Sequence, residues 1–390
     1  MLKPEELLQA SAFEPTLVDA ADAISLPREA YISEDFYQFE LDTLWRRSWV
    51  CVGHSTQIPN PGDFVPLTLA GDPLIMVRGR DGRINVMSSV CRHRAMVITG
   101  DEPGNCDRFT CNYHGWQYGL DGSLIGAPFM RQTNAFDRSS QRLPALAVEI
   151  WRGFVFVNYL DDPEPLGPQM ADYDEVLGNW DIENLSAGGT PASQDFEFNW
   201  KIFLENAAEC YHCDFLHPSW HGCAPTRNTQ PEIFPDHPAA LVCTVETTHQ
   251  DASFIPPDFK ALFPPLPKLT EAERNIMHFQ IVMPNLLVAH YPDGVMFGIL
   301  TPSGTKKTRI TFGSLFPEST IASPTFAEAF THSQEVTAPE LAEDFEACAK
   351  VHEGLESTLA TRGRLSGQLE QTVNHFHRWI LKHYLSERQQ

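Results

Sequence analysis

The sequence predicts an α+β protein: a small all-β domain followed by a larger domain whose antiparallel β-sheet is covered by helices. Two textures carry that prediction. In residues 49–159, short apolar runs at 49–52, 74–77, 84–86 and 154–157 are punctuated by Pro61-Gly62, Gly79, Asp81-Gly82 and Asp121-Gly122. Short strands joined by tight turns make a small β domain. From Phe196 onward, long helical patterns alternate with strand-like runs. A length of 390 residues suits one large or two ordinary domains.

Taken in order, residues 2–36 open with an acidic helical turn and a linker containing Pro and Ala. Ser33-Glu34-Asp35 starts a helix that runs through Phe39, Leu41, Leu44 and Trp45. Residues 160–188, rich in Asp, Glu and Pro, read as a connector. Residues 199–217, NWKIFLENAAECYHCDFLH, lack Gly and Pro and read as a helix. Strands are expected at 281–288, 295–300 and 310–316, and helices at 326–349 and 368–385. Pro256, Pro257, Pro264, Pro265 and Pro267 mark a long irregular loop over the site. The resulting division is 1–46, an N-terminal helical segment packing with the larger domain, then 47–160 and 161–390. No internal repeat is present.

Charge narrows the function classes. The chain has 28 basic and 51 acidic residues, a net charge of −23. Nucleic-acid phosphates and anionic membranes would be repelled. A cationic substrate is permitted, although a solubilising surface accounts for the same charge. No apolar run is long enough for a membrane span, and MLKPEELLQA has neither the basic nor the apolar part of a secretory signal. The nine Cys form no regular framework. They suit a reducing cytoplasm and metal ligation better than disulfides.

Two clusters carry chemistry. Cys91-Arg-His93 recurs as Cys111-x2-His114. A zinc finger groups its Cys pair apart from its His pair, whereas each knuckle here carries one of each. That order fits a Rieske [2Fe–2S] centre, with two thiolates on one iron and two imidazoles on the other. Cys106 is a bystander between the knuckles. Arg92, Arg94, Tyr113 and Trp116 are candidates to surround the cluster. The second cluster lies in residues 199–217, with Glu205, Asn206, Glu209, His212 and His217. Glu209 and His212 share a helix face. His212 and His217 point roughly 140° apart on a regular helix, so both reach one metal only if the helix loosens or ends. Pro218 pushes His217 out of the α region. Two His and a carboxylate would form the facial triad of a non-haem Fe(II) oxygenase. With Cys210 and Cys213, the same His residues also allow a zinc site.

The order CRHR, CNYHGWQYGLDGSL, WRGFVFVNY and NWKIFLENAAECYHCDFLH resembles the catalytic alpha subunit of Rieske non-haem iron oxygenases, over nearly the whole chain. The resemblance implies that Cys91 and Cys111 bind one cluster iron and His93 and His114 the other. It assigns His212 and His217 to a mononuclear iron, with Asp344 of the Glu343-Asp344 pair as third ligand. His352 stands where the family has Gln, Ala95-Met96 where it has a small pair with Gly, and Asn112 where it has Pro. Glu209 takes the place of a carboxylate that, in this family, joins a cluster His of one subunit to the iron site of its neighbour. Glu-Cys-Tyr-His-Cys and the tail VNHFHRWI resemble the branch acting on quaternary ammonium compounds such as glycine betaine, stachydrine and carnitine.

The expectation is therefore a terminal oxygenase component in which Glu209 and Asn206 serve catalysis. It would take O2, and electrons from NAD(P)H through a separate reductase or ferredoxin, since no Gly-x-Gly-x-x-Gly fingerprint follows a strand. It would hydroxylate a small substrate, by N-demethylation if that is a quaternary ammonium. The resemblance implies a homotrimer. Trp200, Phe203, Tyr211, Phe215, Trp220, Tyr291 and Phe297 are candidates for a cation-binding aromatic cage. The rival readings are an aromatic-ring hydroxylase, a Rieske electron carrier and a zinc-bearing structural protein.

Overall fold

A computed structural model describes residues 12–234, 240–255 and 258–386. The chain forms two compact units, Arg46–Glu164 and Met1–Trp45 with Pro165–Gln390. The acidic turn expected near residue 2, and Pro256-Pro257 of the expected loop, lie outside the described residues.

The N-terminal segment contributes α1 (Glu29–Ile32) and α2 (Glu34–Glu40). Ser33 caps α2 by accepting the Phe36 N–H at 3.3 Å. The helix then loosens into a π turn over Leu41–Trp45. Glu40 meets Lys201 in full burial at 2.7 Å, so neither charge is left alone in the core.

The unit Arg46–Glu164 holds strands, loops and three short 3-10 segments, Ser55–Gln57, Met130–Gln132 and Arg138–Gln141. One sheet has β1 (Val50–His54), β10 (Phe154–Asn158) and β9 (Ala147–Trp151). A second has β4 (Ile84–Ser88), β3 (Asp72–Arg78), β2 (Asp63–Leu69) and β5 (Gly104–Asn105). The third has β6 (Phe109–Thr110), β7 (Gln117–Tyr118) and β8 (Leu124–Gly126). Gly122 turns at φ +79°, with the backbone oxygen of Leu143 3.3 Å from where a Cβ would stand. A side chain there would be both strained and crowded.

In the larger unit, α3 (Leu166–Gln169) and α4 (Ala171–Leu177) occupy the expected connector. An eight-stranded sheet follows, in the order β11 (Ser186–Ala187), β18 (Thr308–Phe316), β17 (Gly294–Pro302), β16 (Leu286–Tyr291), β15 (Ile276–Val282), β14 (Ala240–Glu246) and β13 (Thr229–Ile233). The eighth strand, β12 (Ala192–Phe196), also pairs with β18, and every pairing is antiparallel. The single strand expected at 281–288 is two strands: Met283-Pro284-Asn285 turns the chain between β15 and β16. Pro284 has no N–H for a ladder, so the apolar run cannot stay one strand.

After α7 (Glu318–Ile321), the long helix α8 (Phe326–Glu356) and then α9 (Gln371–Ser386) complete the unit. The buried stripe of α8 is polar. Glu340, Asp344, Cys348 and His352 follow one another at four-residue spacing and are all buried. Each meets a partner. Glu340 accepts from Ser219, Cys348 lies near the Ile202 carbonyl, and His352 Nδ1 accepts the Asn199 N–H at 3.2 Å. His352 thus docks α8 onto the N-cap of α5 (Trp200–Ala207).

Candidate metal centres

In the β unit, each Cys–His knuckle sits on a loop of the small sheets. Cys91 and Cys111 are each 2% exposed, and His114 is exposed at the surface. His93 Nδ1 and His114 Nδ1 face one another at 3.1 Å. Two buried sulfurs and two converging imidazole nitrogens are the donor set a Rieske cluster needs. Trp116 stacks on His93 with ring centroids 4.9 Å apart, and Tyr113 lies 3.9 Å from the His114 ring. Arg94 stands over Tyr113 at 5.5 Å. Arg92 contributes its backbone N–H to the Tyr118 hydroxyl at 2.9 Å. That hydroxyl also lies 3.3 Å from Cys91 Sγ. Burial first, and then Cys91 itself, raise the Tyr118 phenol above its ordinary pKa. Tyr118 was missed in the sequence, since a Tyr in a two-residue strand carries no local signal. Cys106 is a free, half-buried residue packed against this core.

The stretch 199–217 is not one helix. α5 ends at Ala207, a turn follows, and α6 (Cys213–Leu216) is a single short turn. Side chains cause the break by satisfying the backbone groups that it frees. Glu209 Oε2 accepts the N–H groups of Tyr211 and His212. Thr226 donates to the Cys210 carbonyl at 2.9 Å, and Thr372 donates to that of Ala208. Cys210 and Cys213 face each other across the turn, Cα atoms 5.0 Å apart, and form a disulfide. This corrects, for these two cysteines alone, the expectation that the cysteines stay reduced, and it removes both from any zinc site.

The broken helix brings His212, His217 and Asp344 together: one donor atom from each lies within 4.8 Å of the others. Asp344 Oδ1 is 3.0 Å from His217 Nε2 and 3.5 Å from His212 Nε2. Asn206 Nδ2 donates to the same oxygen at 3.1 Å. The other nitrogen of each imidazole is engaged by a carboxylate. His212 Nδ1 donates to Glu209 Oε1 at 2.8 Å, and His217 Nδ1 to Glu343 Oε2 at 2.8 Å. Such contacts fix the tautomer and turn both Nε2 atoms toward one point. Adjacent residues of α8 therefore divide the work. Glu343 orients a histidine, and Asp344 faces the gap. Burial disfavours a charged His217, but Asp344 and Glu343 outweigh it and raise its pKa.

The gap opens on a cavity of about 150 Å³. One wall is a row across the sheet, Cys243, Phe279, Ala289 and Met296, each opposite the next. Of the cage candidates, Phe203, Trp220, Tyr291 and Phe297 line it. Trp200 does not: it is buried against Trp45 and Phe376. Tyr211 and Phe215 are exposed. Phe254 was missed. It comes from the irregular loop after β14 and stacks on Trp220 at 4.0 Å.

Comparison with known proteins agrees with this architecture. The family model for the ring hydroxylating alpha subunit catalytic domain matches residues 176–386, more than half of the chain, and the Rieske [2Fe-2S] domain model matches residues 48–137. The chain belongs to the ring-hydroxylating alpha-subunit family. It is 31% identical over 224 residues to the glycine betaine monooxygenase oxygenase subunit of Chromohalobacter salexigens, covering 55% of this chain and 50% of that protein. It is 34% identical over 188 residues to the benzene 1,2-dioxygenase alpha subunit of Pseudomonas putida, covering 47% and 42%. The chain spans about half the length of the curated relatives it matches. Among solved structures, the quaternary ammonium Rieske monooxygenase CntA in complex with L-carnitine superposes with a TM-score of 0.77 at 20% identity, covering 96% of this chain and 97% of that one.

Proposed function

We propose that the chain is the terminal oxygenase component of a Rieske oxygenase system and that it N-demethylates a methylated ammonium compound. The observation that carries this reading is the His212–His217–Asp344 set on the wall of an aromatic cavity, with each imidazole oriented by its own carboxylate. In this reading Cys91, Cys111, His93 and His114 hold the cluster, and His212, His217 and Asp344 hold a mononuclear iron. When bound, the cluster supplies electrons singly, drawn from NAD(P)H through a separate reductase or ferredoxin, and the iron supplies a place for O2 to be reduced. Overall, O2, two electrons and two protons convert one N–CH3 to N–CH2OH and water. The hydroxymethyl group then loses its O–H proton. Its C–N electron pair returns to nitrogen, releasing formaldehyde and the demethylated amine.

The chain's own residues perform the remaining work. Glu209 and Glu343 hold the Nδ1–H of the two imidazoles and so keep each Nε2 correctly turned. Asn206 holds the free rotation of Asp344 in check. Aromatic rings lining the cavities, Phe254 and Tyr291 among them, would meet a cation that cannot donate a hydrogen bond, each cation–ring contact being worth about 0.5–2 kcal/mol. They also exclude water from the reacting methyl group. The relative named as a glycine betaine monooxygenase oxygenase subunit favours this substrate class over ring hydroxylation. The test is a panel of choline, glycine betaine, carnitine and aromatic acids, incubated with a generic reductase. Formaldehyde release with matched oxygen uptake from an ammonium compound is expected. A hydroxylated ring with no formaldehyde would replace this reading by that of an aromatic-ring hydroxylase.

The same reading places the protein in the cytoplasm, where a reductase can reach it; no described helix is long and apolar enough to cross a membrane. It also takes three chains in a closed head-to-tail ring, with the cluster of one serving the iron site of the next. His114 and the apolar side chains near it, Met96, Val97 and Tyr113, are exposed, as a docking surface around a cluster requires. Light scattering of the active protein should give the mass of a trimer. A fully active monomer would refute the ring.

A further inference from the structure

A second cavity, of about 530 Å³, abuts the first and shares Trp220, Phe254, Tyr291 and Met296 with it. Its charge inventory is one-sided. No Lys or Arg lines either cavity among the described residues. Three carboxylates line the pair: Glu209, Asp344 and Asp293. Glu209 is bonded to His212, and Asp344 lies between the two histidines. Asp293 engages neither. It sits in the turn from β16 to β17, 8% exposed, and accepts the Phe263 N–H at 3.3 Å. We infer that the substrate carries a net positive charge, in contrast to the balanced charges of a zwitterion, and that Asp293 in the outer cavity is the residue that selects it.

This inference rests on the demethylase reading and narrows it. A substrate carboxylate entering these cavities loses its water and finds no cationic side chain, a combination that is costly in a low-dielectric site. A quaternary ammonium meets aromatic faces and then a buried carboxylate of opposite sign. Burial pushes the Asp293 carboxyl up to about 6, the mark of a charge kept without a strong counter-ion. A cation arriving beside it relieves that cost for both partners. The overall charge of −23 draws the same class of ligand toward the surface.

The experiment measures binding of three probes to the metal-loaded protein without oxygen: choline, glycine betaine and 3,3-dimethylbutan-1-ol, the neutral carbon analogue of choline. Choline should bind at least about tenfold more tightly than either of the others. In Asp293→Asn, which keeps an oxygen for the Phe263 N–H, choline binding should weaken by about tenfold and that of the neutral alcohol should not change. With choline as substrate, KM should rise while kcat at saturation stays within about twofold. Glycine betaine binding as tightly as choline would overturn the inference and leave demethylation standing. Equal losses for all three probes in Asp293→Asn would make Asp293 structural and overturn it also. Failure of both ammonium compounds to bind would overturn the inference, and the panel with carnitine and the aromatic acids would then decide the demethylase reading separately. If Asp293→Asn does not fold, the choline-to-betaine ratio of the unaltered protein still decides the charge claim.

Discussion

His212→Ala is expected to abolish turnover and leave the Rieske absorption and EPR spectra unchanged. Among the described residues, His212 supplies one of the three donor atoms that meet within 4.8 Å. Two donors of a facial set hold Fe(II) weakly, so the variant should lose about one iron per chain. The cluster residues belong to a different compact unit, Arg46–Glu164, with a core of its own formed by Ile75, Phe109, Trp116, Tyr118 and their neighbours. That core does not depend on an imidazole near α6. Loss of both centres in His212→Ala would mean that the two sites are not separable, and the assignment of one metal to each unit would fail.

Glu209→Gln is expected to retain both metal centres and to slow single-turnover oxidation of substrate by the reduced cluster at least about tenfold, the scale of losses when a ligand-orienting partner is changed. Glu209 accepts three hydrogen bonds, from His212 Nδ1 and from the N–H groups of Tyr211 and His212. A glutamine places an NH2 where one of those acceptors stood, so a donor meets a donor. The charge that makes the imidazole a better ligand is also gone. Stopped-flow reoxidation of the cluster, with substrate and O2 present, reads the effect. An unchanged rate with normal iron content would reduce Glu209 to a capping residue of the turn.

The β unit was largely legible because its signals are local: turn residues, short apolar runs and two knuckles at tight spacing. In residues 199–217, the need for a break was legible from the five-residue spacing of His212 and His217, but its place was not, since Ala207-Ala208 and the absence of Gly and Pro favour helix. What opposes helix there is Glu209 folding back on the backbone, together with Thr226 and Thr372 from distant segments. The role of Glu343 was hidden for a related reason. Neighbouring acids on a helix look alike in sequence, and only the stripe Glu340–Asp344–Cys348–His352 decides which one faces inward. That stripe is polar, so apolar periodicity could not reveal it. The hairpin at Met283-Pro284-Asn285 interrupts an apolar run in the middle, where the eye follows hydrophobicity past the proline. Phe254 reaches the cavity from a loop, where no periodicity applies.

Central to the account is that one chain carries two iron centres of different kinds. Iron and acid-labile sulfide, measured per chain on the unaltered protein and on His212→Ala, test it most directly. The account predicts about three irons and two sulfides in the first and about two irons and two sulfides in the second. Zinc in place of iron, with no sulfide in either protein, would contradict it.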